Sequence, residues 1–154
     1  MTRYVLPAMP DGVARTTDVP WQEPPSDLDG EEGVIGSMLA DPACGPRVAG
    51  IIHCKDFTDS GYRRIYRLLT RLSPGDRSPE ALRAELHAVV GEAYVEALTD
   101  CVPSGANAAW YARRVRDAYR RRRIISAAAE ATREAYDGSV SAARAALTDV
   151  LAGT

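Results

Sequence analysis

Residues 102–125, which read VPSGANAAWYARRVRDAYRRRRII, decide the fold. Pro103 disfavours helical geometry in the residue before it, and the side chain of Ser104 can cap a helix that follows. Beyond this start, apolar residues recur at spacings of three, four and seven, which places them on one face of a helix. These residues are Tyr111, Val115, Ala118, Ile125 and Ala129. The pattern predicts one long helix from about residue 107 to about residue 136.

The composition is typical of a soluble globular protein with one domain. The chain has 154 residues, of which 45% are hydrophobic and 26% are charged, and its formal net charge is -2. The whole molecule is therefore not a polycation that binds nucleic acid through its bulk charge. No apolar run reaches the length of a membrane span, and the N-terminus lacks the apolar core of a signal peptide. We expect a cytoplasmic protein that does not contact a membrane.

Helical periodicity predicts an all-α fold with a compact helical body followed by an antiparallel helical hairpin. Residues 1–25 contain five prolines and no sustained periodicity, which indicates a flexible Pro-rich arm. Residues 26–106 form the globular helical body, which begins with a capping box of Ser26 and Asp29. Residues 107–154 form the hairpin, in which the long helix ends at Asp137-Gly138-Ser139 and a last helix follows.

Three glycines interrupt the apolar stripe of the first helix, at positions 30, 33 and 36. Each glycine lowers helix propensity by about 1 kcal/mol relative to alanine, so another reason for their presence is required. A close contact between helices is one such reason. A second helix is predicted to start at Asp41-Pro42, with Val48, Ile51 and Ile52 facing inward.

The sequence contains no constellation that indicates catalysis, a cofactor or a metal site. Cys44, Cys54 and Cys101 show no paired spacing, which indicates reduced and buried side chains. The carboxylates near position 30 lie in the first turn of a helix, where negative charge is favoured by the helix dipole. These carboxylates belong to Asp29, Glu31 and Glu32.

A phosphate-binding loop of the type G-x-x-x-x-G-K-[ST] is absent. The chain contains one lysine, Lys55, and it follows His53-Cys54 rather than a glycine-rich loop. We therefore expect no ATP hydrolysis by this chain alone.

Seven arginines lie between positions 113 and 123, opposed in that interval only by Asp117. They are interpreted in three ways: contacts to the phosphates of a nucleic acid, contacts to another subunit or partner protein, or a solvated helix face. Trp110 and Tyr119 lie nearby as aromatic side chains that could stack on bases. The predicted contact residues are Arg113, Arg116, Arg120, Arg121 and Arg123.

The hairpin is rich in alanine, so each helix buries little apolar area against the other. Such a hairpin is weakly stable alone and requires a partner surface. A face separate from the apolar stripe of the long helix is predicted to mediate self-association into a homo-oligomer. The residues of this face are Ile124, Ala128, Ala131 and Ala135.

Several ordered motifs resemble the N-terminal domain of DnaB-type replicative DNA helicases. Pro24-Pro25 with residues 28–36, LDGEEGVIG, is similar to the opening S-x-E-A-E-x-x-V-L-G pattern of the family. Asp56-Phe57 with Ile65-Tyr66 resembles its D-F-Y…H-x-x-I-F segment, and residues 91–98 resemble its G-G-x-A-Y-L-x-E-L helix. The most specific match is residues 102–116, which resemble the P-S-x-A-N-x-x-x-Y-A-x-x-V-R-E run.

This resemblance covers about Pro24 to about Tyr136 and excludes the ATPase motor domain. The segment between Leu72 and Val90 is short and lacks the family's I-D-x-x-T-x-x-x-x-L signature. The resemblance implies an all-α body with a hairpin that pairs between subunits. It also implies a collar on a hexameric helicase ring that docks primase or a helicase loader.

The sequence leaves two main classes of function open, and a third class is a subordinate alternative. The first is a collar domain of the replication machinery that organises helicase subunits. The second is a stand-alone regulator, of mobile-element origin, that caps or redirects a host helicase. The third is a nucleic-acid-binding accessory protein that contacts DNA directly. A motor domain encoded downstream in frame, or immediately adjacent, would favour the first class.

Overall fold

The computed structural model describes residues 22–72, 78–102 and 104–152, and within them the fold is all-α. A body of packed helices is followed by a helical hairpin, as the sequence predicts. The N-terminal arm lies outside the described residues except for its last four. The α-helices are α1 (Leu28–Ala40), α2 (Gly45–Ala49), α3 (Ser60–Leu72), α4 (Pro79–Val90), α5 (Glu92–Asp100), α6 (Ala108–Tyr136) and α7 (Val140–Ala152).

Short polar side chains begin most of these helices. The Asp59 carboxylate accepts the N–H of Tyr62 at 2.9 Å, and the Ser78 hydroxyl accepts the N–H of Ala81 at 3.2 Å. The prediction of a capping box at Ser26 and Asp29 is wrong. Asp27 is the N-cap of α1 instead, and its Oδ1 accepts the N–H of Gly30 at 3.0 Å.

The predicted second helix is shorter than expected. Asp41 caps a 3₁₀ turn at Pro42–Cys44, and α2 then runs only from Gly45 to Ala49. Two glycines and a proline within six residues explain this, because they lower helix propensity. The inward side chains are nevertheless placed as predicted, since Val48 and Ile52 are fully buried and Ile51 packs against the core.

Helix α1 is the centre of the body and packs against α3, α4, α5 and α6. Its glycines allow the close approach that the sequence predicts. A Cβ built on Gly33 would lie 2.5 Å from the ring of Tyr111 in α6. A Cβ on Gly36 would lie 2.6 Å from the carbonyl oxygen of Leu98 in α5. Only glycine therefore lets both neighbours reach the α1 backbone.

Helix α6 has 29 residues, which corresponds to roughly 44 Å, and it belongs to both the body and the hairpin. Ala108, Ala112, Val115 and Ala118 lie in the body and are at most 2% exposed. The inward placement predicted for Ile125 and Ala129 is wrong for the single chain, because both are exposed. Beyond Arg122 the helix leaves the body and α7 becomes its packing partner.

The turn between α6 and α7 has the predicted chemistry. Gly138 adopts a φ of +86°, which favours glycine, and the Ser139 hydroxyl accepts the N–H of Ala142 at 3.3 Å. In the part of the chain that the structure describes, no helix combines the length and apolar character needed to cross a bilayer.

The three cysteines are free thiols in different environments. Cys44 is buried as predicted, and burial raises the pKa of its thiol to about 11. The prediction of burial is wrong for Cys101, which is exposed. The Sγ of Cys101 donates to the Glu32 carboxylate at 3.0 Å, and this hydrogen bond raises the pKa of the thiol. Cys54 is half-buried.

Candidate functional site

The candidate functional site is the arginine-rich helix α6 together with the hairpin that it begins. Three of the seven arginines join α6 to the body of the protein. The guanidinium of Arg114 donates to both carboxylate oxygens of Asp27, at 2.8 and 2.7 Å. Because Asp27 also caps α1, this bidentate pair fixes α6 at the N-terminus of the central helix.

The second internal arginine is Arg116, whose Nη1 donates to both oxygens of the fully buried Asp56, at 3.0 and 2.9 Å. The same carboxylate accepts the N–H of His53 at 3.0 Å. A buried carboxylate is tolerated only when it is paired and hydrogen-bonded, and Asp56 meets both conditions.

The third internal arginine is Arg122, which donates to the carbonyl oxygens of Pro25 and Asp56. It therefore joins α6 to the segment before α1 and to the 3₁₀ turn at Cys54–Asp56. Of the five arginines predicted to contact a partner, Arg116 is thus held inside the fold, with only 22% of its side chain exposed.

The outward arginines of the body half of α6 form a different group. With 3.6 residues per turn, Arg113, Arg120 and Arg121 lie on one side of α6, together with Trp110 and Asp117. Arg121 pairs with Asp117 at 2.7 Å, and both side chains are 61% exposed. Arg113 and Arg121 line an open groove of about 470 Å³ that also contains Trp110. We name this arrangement the arginine groove.

Trp110 is 52% exposed at one end of the arginine groove. The guanidinium carbon of Arg114 lies 4.7 Å from the centre of its ring, and the ring of Tyr111 packs edge-on at 5.0 Å. Cation–π attraction therefore fixes the indole in place while much of it stays accessible. An exposed, oriented aromatic side chain among arginines is typical of a protein-binding surface.

Arg123 is placed at the base of the hairpin rather than in the arginine groove. Its Nη2 donates to Asp149 of α7 at 3.0 Å. A hydrogen bond to Tyr119, supported by the Asp149 carboxylate, raises the pKa of Arg123 above its ordinary value. The predicted contact set is therefore divided, because Arg113, Arg120 and Arg121 are exposed on the outward side of α6, while Arg116 joins α6 to the body and Arg123 joins it to α7.

The predicted self-association residues are also divided. Ile124 is 50% exposed, and Ala128 and Ala135 are exposed as well. Ala131 is only 8% exposed, so it lies within the hairpin rather than on an outer face. The three exposed residues remain available to a partner, whereas Ala131 supports the packing of α6 on α7.

Helix α7 carries a stripe of apolar residues that helical periodicity places on one side of the helix. Within this stripe, Val140, Leu147 and Leu151 are 70%, 44% and 73% exposed. Of the apolar stripe only Val150 is buried, at 7%. A spacing of three and four in α7 places the first three on one side, and Ala143 and Val150 on another. The apolar stripe of α7 is therefore wider than α6 alone covers.

A buried carboxylate in α1 was interpreted from the sequence only as a favourable charge at a helix N-terminus. Glu31 is 1% exposed, and its two oxygens accept the N–H groups of Thr58 and Asp59 at 2.6 and 3.0 Å. Its structural role is therefore to hold the start of α3 against α1. Across the described residues, no three His, Cys, Asp or Glu side chains are grouped to hold a metal ion.

Comparison with known proteins identifies the relatives of this architecture. A family model described as the DnaB-like helicase N terminal domain matches residues 23–117. The chain is 33% identical over 144 residues to Replicative DNA helicase DnaB of Treponema pallidum (strain Nichols), an alignment that covers 88% of this chain and 32% of the relative. It is 28% identical over 136 residues to the protein of the same name from Mycobacterium leprae (strain TN), covering 83% of this chain and 22% of the relative.

A solved structure has a similar fold. The crystal structure of the N-terminal domain of DnaB helicase from Mycobacterium tuberculosis superimposes with a TM-score of 0.71 and 25% sequence identity. The match covers 82% of this chain and 99% of that structure. The present chain therefore spans nearly the whole of that solved structure, but about a third or less of the length of the two curated relatives described above.

Proposed function

The chain belongs to the family of DnaB-like helicase N-terminal domains, and on this premise we propose that it acts as the collar of a replicative helicase assembly. In this role it organises helicase subunits and docks a primase or a helicase loader in the cytoplasm. The observation that carries the proposal is the uncovered apolar surface of the hairpin.

Six large apolar side chains of the hairpin are between 44% and 73% exposed in the single chain. Burial of such side chains in an interface is favourable, because each Å² of apolar surface removed from water stabilises the buried state by about 25 cal/mol. The side chains lie along both helices of the hairpin, so they suit a second helical hairpin of the same chain. They are Ile124, Ile125, Tyr136, Val140, Leu147 and Leu151.

The arginine groove supports the second part of the proposal, which is the docking of another replication protein. It presents Arg113, Arg121 and the accessible indole of Trp110 on one side of α6. Tryptophan and arginine are the residues that most often dominate the energy of protein interfaces. Positive charge at the edge of such a surface accelerates association with an acidic partner, and this effect weakens as salt is added.

No residue of the chain is proposed to hydrolyse ATP, because its sequence contains no loop that could hold the phosphates of the nucleotide. The proposed contribution to the helicase is mechanical: a rigid body presents the arginine groove, and the hairpin sets the geometry between subunits.

A direct contact with DNA is a second candidate function, favoured by the exposed ring of Trp110 beside several arginines. Two carboxylates weaken it, since Asp27 neutralises Arg114 and Asp117 pairs with Arg121. Protein docking tolerates such internal pairing better than binding to a phosphate backbone does, because phosphate contacts depend on uncompensated positive charge.

The docking proposal is tested by capture of the cognate helicase, primase and loader on immobilised protein. The double variant Arg120→Glu with Arg121→Glu should reduce capture of one of these proteins by about tenfold or more, because it reverses two charges on the outward side of α6, of which Arg121 lines the arginine groove. The matched control is Arg64→Glu with Arg67→Glu, which reverses two exposed charges on α3. Failure of the wild-type chain to bind any of the three proteins, or equal loss in both variants, contradicts the docking role.

A further inference from the structure

A second cationic cavity, separate from the arginine groove, lies where α6 leaves the body. It has a volume of about 310 Å³ and is open to solvent. One wall comes from the 3₁₀ turn at Cys54–Asp56 and the start of α3, and the other comes from the middle of α6. Four of the described lining residues are cations and none is a carboxylate; the cations are Lys55, Arg63, Arg122 and Arg123.

Among the described residues, two cationic groups of this cavity have donors without a protein acceptor. Arg63 donates through Nη2 to the carbonyl oxygen of Phe57 at 2.6 Å, but its buried Nε finds no acceptor among the described residues. Buried donors are nearly always paired, so an unpaired one beside a cavity points to a ligand that supplies the acceptor. Within the described residues, Lys55 has no carboxylate at ion-pair distance, and its Nζ lies 5.8 Å from the centre of the Tyr119 ring.

The Tyr119 ring, in the wall of the cavity, already has cations close to it. The charged groups of Lys55, Arg116 and Arg122 lie 5.8, 5.6 and 5.9 Å from the centre of the Tyr119 ring. Each is within the distance of a cation–π contact. The ring therefore serves to hold these positive charges together, and its face is not open for stacking on a nucleobase.

Concentrated positive charge, an unpaired buried N–H donor and no open stacking surface are the features of a site for a compact anion. We propose that this cavity binds the phosphate groups of a small phosphorylated molecule, with pyrophosphate as the minimal ligand. Lys55 supplies a mobile positive charge and Arg63 donates from the body, while Arg123, whose pair with Asp149 is exposed to solvent, lies beside them at the base of the hairpin.

Such an anion would connect the body to the hairpin. Lys55 and Arg63 belong to the body, whereas Arg123 pairs with Asp149 of α7. Neutralising the four cations would remove their mutual repulsion and stabilise the orientation of the hairpin base. The binding site is independent of the proposed collar function, because it uses neither the arginine groove nor the exposed apolar side chains of the hairpin.

The test is isothermal titration calorimetry of the purified chain with pyrophosphate at constant ionic strength. The wild type should bind one equivalent with a saturable isotherm. Lys55→Gln should weaken binding by about tenfold, because it removes one charge-assisted hydrogen bond. The matched control is Arg144→Gln on α7, which lowers the net charge by the same unit from -2 but lies outside the residues that line the cavity. The affinity of Arg144→Gln for pyrophosphate should equal that of the wild type.

Thermal unfolding in the presence of pyrophosphate supplies a second measurement. Binding to the folded state should raise the unfolding midpoint of the wild type and of Arg144→Gln, and should raise it less in Lys55→Gln. Three results would overturn the proposal: absence of saturable binding to the wild type, equal weakening in both variants, or Lys55-dependent binding of oligothymidylate without binding of pyrophosphate. The last result would identify a nucleic-acid backbone as the ligand instead.

Discussion

Arg116 donates to both oxygens of the fully buried Asp56, across a sequence separation of 60 residues. The pair joins the middle of α6 to the 3₁₀ turn that precedes α3, so it holds this turn against α6. An arginine in a strongly cationic segment thus acts as a structural partner of a carboxylate that has no access to water.

Replacing Arg116 with methionine should destabilise the fold strongly. The change leaves Asp56 buried without its counter-charge, which costs about 3 to 5 kcal/mol. Arg121→Met is the matched control, since its pair with Asp117 is 61% exposed on both sides and contributes about 0.5 kcal/mol. Urea unfolding followed by circular dichroism measures both. Similar midpoints for the two variants would show that the Asp56 pair is not a stabilising contact.

Gly33→Ala should destabilise the protein although alanine favours helices. The helix-propensity gain is about 1 kcal/mol, but the added Cβ would lie 2.5 Å from the Tyr111 ring, and overpacking of this kind costs about 1 to 3 kcal/mol. Gly50→Ala is the control, because its Cβ would meet only ordinary contacts at 3.5 Å or more. Thermal unfolding should show a lower midpoint for Gly33→Ala and an unchanged or higher one for Gly50→Ala. A stabilised Gly33→Ala variant would contradict the close packing of α1 on α6.

Ala128→Glu and Ala131→Glu should disrupt different contacts. Ala128 is exposed, so a glutamate there should preserve helicity and disrupt only an interface between hairpins, at a cost of several kcal/mol for a charge buried without a partner. Ala131 is 8% exposed against α7, so the same change should disrupt the hairpin itself and reduce helicity. Sedimentation equilibrium and far-UV circular dichroism distinguish the two effects. A wild type that stays monomeric at high micromolar concentration rules out self-association through this surface.

The exposed thiol of Cys101 should react faster when Glu32 is replaced by glutamine. The hydrogen bond to the Glu32 carboxylate raises the pKa of the thiol, so its removal lowers that pKa and increases the thiolate fraction at pH 8. Alkylation by iodoacetamide, quantified at Cys101 by peptide mass spectrometry, measures the rate. Glu96→Gln on α5, the helix that ends just before Cys101, should leave the rate unchanged, and the buried Cys44 should react slowest in every variant. A slower reaction in Glu32→Gln would show that the carboxylate does not raise the pKa of the thiol.

The ends of helices could be predicted where the residues that form the cap or turn are close together in the sequence. The end of α6 follows from Asp137-Gly138-Ser139, because a positive φ at glycine and a serine cap act within a few residues. The start of α4 at Ser78-Pro79 follows in the same way. The closeness of α1 to its neighbours was also indicated, since Gly33 and Gly36 have no favourable local role in a helix.

Local rules were insufficient where several residues compete for the same role. Ser26 and Asp27 are both good N-cap residues, and Asp27 is the cap because the same carboxylate also pairs with Arg114, which lies 87 residues away. The sequence contains no signal for that choice. The exposed side of α7 was missed for a related reason, because periodicity shows that a stripe is apolar but not how much of it one neighbour covers.

The sequence by itself determined that this protein is an all-α body with a long arginine-rich helix and a hairpin, because caps, turns and helical periodicity act between residues a few positions apart. Only the tertiary structure decided which arginines stabilise the fold and which face outward. Arg116 and Arg121 are both charged residues of α6, and periodicity alone does not separate their roles. They differ because Arg116 pairs with the buried Asp56, which lies in a turn distant in sequence. Arg121 instead pairs with the exposed Asp117, one helical turn away.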